Sequence, residues 1–209
     1  MTNALPILFA AAVGFGHAFE LDHLLAVGNM ATRRKTIREA VRDGAYWGLG
    51  HTSTILIIGA IILLARVGIA ERTFQFFEAG VGVMLVALGL HRIWKRQSEK
   101  KKEEHEHPHP HAARHLAYGV GLTHGLAGSG ALILLVMTEI KDTLPAVLYL
   151  LVFGAGSIAG MMLASGIFSL PFSRNFAQAG AWRWRLTLLS SLLCIFFGGK
   201  IIFENLVAS

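Results

Sequence analysis

Residues 144–168 read LPAVLYLLVFGAGSIAGMMLASGIF, a run of 25 residues without one charged side chain. An α-helix rises about 1.5 Å per residue, so about 20 apolar residues cross the hydrocarbon core of a bilayer. This run is therefore predicted to be a membrane-spanning helix. The rest of the chain has a similar character, because 54% of its 209 residues are hydrophobic and 15% are charged. Soluble domains carry about 25% charged residues, so the composition places the chain in the membrane class.

Five other runs have membrane-spanning length. Together they predict six transmembrane helices: Leu5–Met30, Gly44–Ala65, Phe74–Ile93, Leu116–Thr138, Leu144–Phe168 and Leu186–Leu206. The N-terminal run lacks the basic segment of a secretory signal, so it is interpreted as a retained first span. The single cysteine, Cys194, lies inside the last run and excludes an internal disulfide or thiol-exchange pair. The predicted fold class is an all-α integral membrane protein.

Lysine and arginine crowd into alternate connections between these runs. The first, third and fifth connections hold 15 of the 19 such residues, and the remaining four are Arg66, Arg72, Lys141 and Lys200. Cytoplasmic loops are enriched in Lys and Arg, so the odd-numbered connections are predicted to be cytoplasmic and both termini outside. The predicted location is the cell membrane, with multiple passes. The same rule accounts for the net charge of +6, and no nucleic-acid partner is predicted.

Two pairs of stretches in the chain resemble each other weakly. GFGHAFELDH from Gly14 to His23 aligns with GLTHGLAGSG from Gly121 to Gly130, and GLGH from Gly48 to His51 aligns with GAGS from Gly154 to Ser157. Each unit would hold three spans, so the two units would lie inverted in the membrane, as in many secondary transporters. The predicted organisation is a first three-helix repeat in 1–94, a linker in 95–115 and a second three-helix repeat in 116–209.

Six ionisable side chains lie inside the apolar runs of spans one, two and four: His17, Glu20, Asp22, His23, His51 and His124. Each costs at least about 2.5 kcal/mol near the middle of a membrane, so such residues normally face an interior cavity and have a function. The alternative is that they make interhelical hydrogen bonds, worth about 0.6 kcal/mol each. Four histidines and two carboxylates in three spans favour a functional site over that alternative.

Depth and angle refine this prediction. Asp22, His23, His51 and His124 all lie about 10–12 Å from the cytoplasmic ends of their spans, at about 1.5 Å per residue. At about 100° per residue, however, His17 and Asp22 cannot face one ion from a straight helix. The first span is therefore expected to be broken, with Gly14 and Gly16 near enough to permit it. Alternatively, Asp22 orients a ligating imidazole.

Imidazole and carboxylate donors suit nickel, cobalt, zinc, copper or iron(II), and suit magnesium or calcium poorly. The predicted metal ligands are His17, Asp22, His23, His51 and His124. The secondary candidates are Glu20, Asn29, Ser129, His105, His107, His109 and His111. The ion is predicted to be a transported substrate, and no tightly bound cofactor is expected. The predicted partners are a divalent metal ion and the lipid bilayer, and the sequence leaves homo-oligomerisation open.

The segment Lys95 to His115 contains EKKKEEHEHPHPHAARH, which is typical of a disordered linker. Its histidines, His105, His107, His109, His111 and His115, predict an arm that collects metal on the cytoplasmic side. The alternative is a solvated linker without a metal role. Because the arm lies outside the bilayer, it is not expected to be the transport site.

The run from His17 to His23, HAFELDH, followed by LLAVGNMATR, resembles the His-x4-Asp-His motif of the nickel/cobalt transporter family. GLGHTST resembles the second histidine motif of that family, and GLTHGLAGS resembles its urease-accessory UreH-like branch. The resemblance implies transport of Ni²⁺ or Co²⁺, with His17, Asp22, His23 and His51 at matching positions. Typical members have eight spans, with the motif in the second, whereas here it lies in the first. The histidine-rich linker is more similar to efflux members, which leaves the direction of transport open.

Several other functions use histidines and carboxylates in membrane helices. Transport of Fe²⁺, Mn²⁺ or Zn²⁺ fits the same donors, and a haem-binding membrane subunit would use paired histidines such as His51 and His124. A urease accessory protein or sensor would bind metal without moving it. The histidine boxes of a membrane di-iron oxygenase are absent, and so is the His-Glu-x-x-His motif of a metalloprotease. The protein is therefore predicted not to be an enzyme.

Overall fold

A computed structural model describes residues 4–32, 34, 36–65, 71–99, 110–127, 142–172 and 180–208. Within these residues the chain is helical and contains no strand. The helices are α1 (Ala4–His17), α2 (Leu21–Ala31), α3 (Ile37–Ala65), α4 (Glu71–Glu99), α5 (Pro110–Ala127), α6 (Thr143–Ser169) and α7 (Gly180–Leu206), with a short 3₁₀ turn at Leu170–Phe172. The all-α prediction is confirmed for this part of the chain.

Four of the described helices are long and apolar enough to cross a membrane. Their spanning segments are Ile37–Ile62, Arg72–Lys95, Thr143–Phe172 and Trp184–Leu206, which correspond to predicted spans two, three, five and six. The fourth predicted span is described as far as Ala127, at the end of α5, and its remainder lies outside the described residues. The protein is therefore a multi-pass membrane protein.

The first predicted span is not one continuous helix. It is divided into α1 and α2 by the three residues Ala18–Glu20, so the prediction of a break is confirmed. The break follows His17, and Gly14 and Gly16 both lie inside α1. Gly14 instead allows α1 to approach α6, where a Cβ atom on Gly14 would overlap the backbone carbonyl of Phe153.

The predicted linker, Lys95–His115, is helical at both ends. α4 continues to Glu99 and α5 begins at Pro110, where a proline is tolerated because the first turn of a helix needs no backbone N–H donor. Residues 100–109, with His105, His107 and His109, lie outside the described residues, as does Ser129. His111 is described only as part of the α5 backbone.

Helix α3 lies at the centre of the packing, with its most extensive contacts to α6 and α5. Gly44 near the start of α3 lies against Ser165 of α6, and Gly59 further along lies against Leu150, so the two helices run antiparallel. Helix α1 packs on α6, and α4 packs on α7. The missing side chains of glycine let these backbones approach closely, as is common between membrane helices.

Helix α2 is fixed at its C-terminal end by polar contacts. The buried Arg92 of α4 donates from Nε to Thr32 Oγ1 over 2.9 Å and from Nη2 to the Thr32 carbonyl over 3.2 Å. Asn29 donates to Ser191 Oγ over 3.4 Å, and the Cys194 thiol donates to the Leu25 carbonyl over 3.3 Å. These contacts tie α2 to α4 and α7, and so hold the residues at its N-terminal end in place.

The outer surface of the helices is rich in large apolar side chains. Leu8, Ile57, Phe76, Leu144 and Phe196 are each more than half exposed. Such side chains are stable on the surface of a protein that is surrounded by lipid, because lipid tails are as apolar as the side chains themselves. The polar site therefore lies on the inside of the helix packing.

Candidate metal centre

The break between α1 and α2 brings three sequence-predicted residues to one point. The Phe19 N–H donates to the Gly16 carbonyl over 2.9 Å, and the Glu20 N–H donates to the His17 carbonyl over 3.1 Å. Glu20 then adopts an extended conformation, with φ −65° and ψ 154°, and α2 starts at the next residue. His17 ends one helix, while Asp22 and His23 begin the next, so the angular conflict of a straight helix disappears.

Four histidine rings from four helices meet at this break. His17 comes from α1, His23 from α2, His51 from α3 and His124 from α5. The His23 ring centroid lies 4.6 Å from that of His17, 5.3 Å from that of His51 and 4.7 Å from that of His124. His17 and His51 are 5.1 Å apart. His23 is thus the ring that contacts all three others.

Two sets of donor atoms are close enough to hold a metal ion. One set is His17, His23 and His51, and the other is Asp22, His23 and His124. Within each set the ligand atoms lie within 4.8 Å of one another. Both sets contain His23, and together they comprise all five residues predicted as metal ligands.

Carboxylates orient two of the rings. Glu20 Oε1 accepts from His17 Nδ1 over 2.8 Å, and Asp22 Oδ1 accepts from His23 Nδ1 over 3.0 Å. A carboxylate on one imidazole nitrogen commonly fixes the ring so that its other nitrogen can bind metal. Asp22 Oδ2 also lies 3.7 Å from His124 Nε2. Asp22 thus contacts two of the histidines.

The imidazole nitrogens in the centre have no hydrogen-bond partner among the described residues. These atoms are Nε2 of His17, His23 and His124 and both ring nitrogens of His51. His23, His51 and His124 are completely buried, and His17 is 4% exposed. A buried polar group without a partner costs about 1–3 kcal/mol, so five such atoms in one cluster form an arrangement suited to a cation.

Two aromatic side chains that the sequence analysis did not single out enclose the cluster. Trp47 is fully buried, and its ring lies 5.5 Å from that of His23 and 5.6 Å from that of His124. Phe153 is also fully buried, with its ring 5.6 Å from that of His17. Trp47 precedes His51 by four residues on α3, a spacing that places both on one helix face and could have identified it.

The secondary candidates lie apart from this centre or at its edge. The Glu20 side chain contacts His17 but is 56% exposed. Asn29 is buried against α7, where its amide donates to Ser191, and it belongs to neither donor set. Ser129 and the linker histidines His105, His107 and His109 lie outside the described residues, and the side chain of His111 is likewise not described.

A buried cluster of imidazoles and a carboxylate, set inside apolar membrane helices at a helix break, defines a class of membrane proteins that handle metal ions. The chain is 35% identical over 170 residues to the urease accessory protein UreH of a Bacillus species, covering 77% of this chain and 75% of that protein. It is 30% identical over 89 residues to the high-affinity nickel transport protein of Cupriavidus necator. The chain belongs to the nickel/cobalt transporter family, in its UreH-like branch.

The match to the nickel transport protein covers 41% of this chain and 25% of that longer protein. No family model matches the chain, and no solved structure matches it. The assignment to the family therefore rests on the two relatives, and it agrees with the resemblance seen in the motifs at His17–His23 and His51.

Proposed function

We propose that this protein is a secondary transporter that moves Ni²⁺ or Co²⁺ across the cytoplasmic membrane through the buried histidine and aspartate centre. The observation that carries the proposal is the convergence of four buried imidazoles whose inward nitrogens have no partner among the described residues. The names of the two relatives, one a nickel transport protein and one a urease accessory protein, support the choice of metal.

The donor set supports a transition metal over Mg²⁺ or Ca²⁺. Imidazole nitrogen suits nickel, cobalt, zinc and iron(II), whereas magnesium and calcium prefer oxygen. A haem group needs two imidazoles that face each other across a slot wide enough for the porphyrin. Here His23 is packed directly against three other rings, at 4.6–5.3 Å between centroids, which favours a single ion. No permanent cofactor is part of the proposal, because the ion is the substrate.

Helix contacts support an inverted repeat of three-helix units. Gly14 of α1 lies against the Phe153 carbonyl of α6, and Gly121 of α5 lies against the Trp47 carbonyl of α3. Gly14 and Gly121 are aligned with each other in the sequence repeat. Trp47 and Phe153 directly precede its second pair of aligned motifs and so also correspond. The same contact is therefore made once by each half of the chain.

A second pair of contacts follows the same correspondence. Gly156 of α6 lies against the Ala11 carbonyl of α1, and Gly50 of α3 lies against the Tyr118 carbonyl of α5. Gly50 and Gly156 are aligned in the repeat, and Ala11 and Tyr118 are equally distant from the aligned glycines Gly14 and Gly121. An inverted repeat places the substrate at the interface of its halves, which is where the histidines meet.

In the proposed topology, the end of α4 near Lys95 lies in the cytoplasm and the end near Arg72 lies outside. The reason is that Lys and Arg are concentrated in the connections on the Lys95 side. Arg72 and Lys95 are both exposed at the ends of one spanning segment. In a Cys194→Ala background, we expect a membrane-impermeant maleimide to label Arg72→Cys in intact cells, and Lys95→Cys after permeabilisation.

The Cys194→Ala protein without a new cysteine gives the labelling background. If the maleimide instead labelled Lys95→Cys in intact cells and left Arg72→Cys unlabelled, the orientation would be opposite to the proposed one. The histidine-rich linker would then lie outside the cell.

Flux into proteoliposomes tests the function. We expect saturable Ni²⁺ or Co²⁺ transport above that of protein-free vesicles, driven by an imposed metal gradient, and no competition from a tenfold excess of Mg²⁺ or Ca²⁺. Parallel assays with Zn²⁺, Mn²⁺ and Fe²⁺ identify the preferred ion. Correctly incorporated protein that binds Ni²⁺ or Co²⁺ without moving either ion would instead support a metal-binding accessory function.

A further inference from the structure

We infer that the centre contains two alternative positions for one metal ion, and that His23 is the pivot ligand shared by both. The inner position, which is the more deeply buried one, is formed by His17, His23 and His51. The outer position, which is the more exposed one, is formed by Asp22, His23 and His124. This inference rests on the proposed function and specifies how the ion moves through the centre. The ion passes between the positions by exchanging ligands around His23.

The two nitrogens of His23 serve different positions. His23 Nδ1 lies 3.0 Å from Asp22 Oδ1, so it is on the side of the outer position. His23 Nε2 has no hydrogen-bond partner among the described residues, and it is the nitrogen left for the inner position. The ring therefore lies between the two donor sets and reaches each with a different atom.

The chemistry of imidazole limits the centre to one ion at a time. A neutral imidazole carries a proton on one nitrogen and a free lone pair on the other. When the lone pair of Nε2 binds metal in the inner position, Nδ1–H donates to Asp22. When Nδ1 binds metal in the outer position, the proton resides on Nε2 and Asp22 is free to act as a ligand. Occupation of one position thus removes His23 from the other.

The two positions differ in access and charge. The Asp22 side chain is 24% exposed, and it supplies a carboxylate to the outer position. The three histidines of the inner position are at most 4% exposed and offer neutral donors. A carboxylate at an exposed edge attracts a divalent cation and replaces part of its hydration. The outer position is therefore the one at which the ion enters or leaves the centre, and the inner position belongs to the buried part of the path.

The repeat relates one ligand of the inner position, His17, to one ligand of the outer position, His124. His17 and His124 are aligned in the two halves, and each belongs to one position only. The ring centroid of Phe153 lies 5.6 Å from that of His17, and the ring centroid of Trp47 lies 5.6 Å from that of His124. In an inverted arrangement, equivalent residues approach the centre from opposite sides of the membrane. His17 and His124 are thus the matched terminal ligands of a two-step path.

Cobalt binding to purified protein tests the two positions. The histidine-rich linker is first silenced by substituting His105, His107, His109, His111 and His115 with alanine, so that Co²⁺ reports on the centre rather than on the linker. We expect this background protein to bind one Co²⁺ per chain. His51→Ala and His124→Ala should each still bind one Co²⁺, because each keeps one complete donor set, and the variant that keeps the preferred position should bind within about twofold of the background protein. Their cobalt absorption spectra should differ from each other, because one retains the carboxylate position and the other the imidazole position.

Flux measurements complete the test. Both variants should lose transport although they bind metal, because the ion has one position and no second one to move to. His91→Ala, an exposed histidine on α4, is the matched control and should keep the flux and spectrum of the background protein.

Three outcomes would contradict the two-position arrangement without contradicting the proposed transport function. Binding of two Co²⁺ ions per chain would mean independent sites. Complete loss of binding in both single variants would mean one site that needs all its ligands. Unchanged flux in His124→Ala would mean that the outer position is not used. Failure of the background protein to bind either Co²⁺ or Ni²⁺ would instead contradict the proposed function itself.

Discussion

Replacing His23 with alanine is expected to reduce metal flux by more than about 100-fold, to the level of protein-free vesicles. His23 belongs to both donor sets, and its ring contacts those of His17, His51 and His124. Loss of a group that merely orients a ligand costs about 10- to 100-fold in metal affinity, so loss of the shared ligand should cost more. Uptake of Ni²⁺ or Co²⁺ into proteoliposomes measures the effect.

The His23 variant removes a buried ring, so its folding must be measured beside its activity. His23→Asn keeps a polar side chain of smaller size, and it should also be inactive while eluting normally on size exclusion. Asp22→Asn keeps the shape of the carboxylate but removes its charge, and a flux at least about 10-fold lower is expected. His91→Ala again serves as the control. Normal flux in a well-folded His23→Ala protein would exclude the proposed site.

Adding a single methyl group at Gly121 is expected to destabilise the protein severely. A Cβ atom there would overlap the backbone carbonyl of Trp47 and lie 2.9 Å from the backbone nitrogen of His51. Backbone atoms cannot rotate away as a flexible side chain can, so α5 would have to move away from α3. Overpacking of this kind costs about 1–3 kcal/mol, occasionally more, and here it would also displace His51 and His124. We expect Gly121→Ala to lower the melting temperature in detergent and abolish flux.

The chain offers a matched control two residues away. A Cβ atom on Gly119 meets no atom within 4 Å among the described residues. Gly119→Ala should therefore be neutral, or stabilising by about 0.5–1 kcal/mol through the helix preference of alanine. Gly14→Ala and Gly16→Ala form the same pair in α1. A Cβ atom on Gly14 would meet the Phe153 carbonyl, whereas one on Gly16 meets no atom within 4 Å in the described part of the chain. Equal melting temperatures for Gly121→Ala and Gly119→Ala would contradict the packing of α5 on α3.

The effects expected for His23→Ala and Gly121→Ala connect the stability of the fold with the function of the centre. The glycines let α3, α5 and α6 approach so closely that side chains from four helices share one small volume. In that volume the protein keeps imidazole nitrogens without partners among the described residues, an arrangement that costs free energy unless a cation binds them. The packing fixes the positions of the histidines, and Arg92 and Asn29 hold α2 from its other end.

The amino-acid sequence alone was enough to assign the membrane class and most of the spans. Apolar runs of about 20 residues have one favourable environment, and this physical constraint does not depend on the contacts between helices. The same constraint made His17, Asp22, His23, His51 and His124 stand out, because ionisable groups in lipid are costly. The motif around His17–His23 then pointed to the nickel/cobalt family, to which the relatives assign the chain.

The site of the break in the first span, and the groups that meet there, depend on how the helices pack. The break follows His17 rather than the flexible glycines, because Gly14 is needed for contact with α6 and the turn at Ala18–Glu20 is held by its own backbone hydrogen bonds. Periodicity along one helix contains no information about the neighbouring helix, so Phe153 could not be assigned to the centre from local patterns alone. The division of the ligands into two sets around His23 likewise depends on distances between helices, which only the packed structure contains.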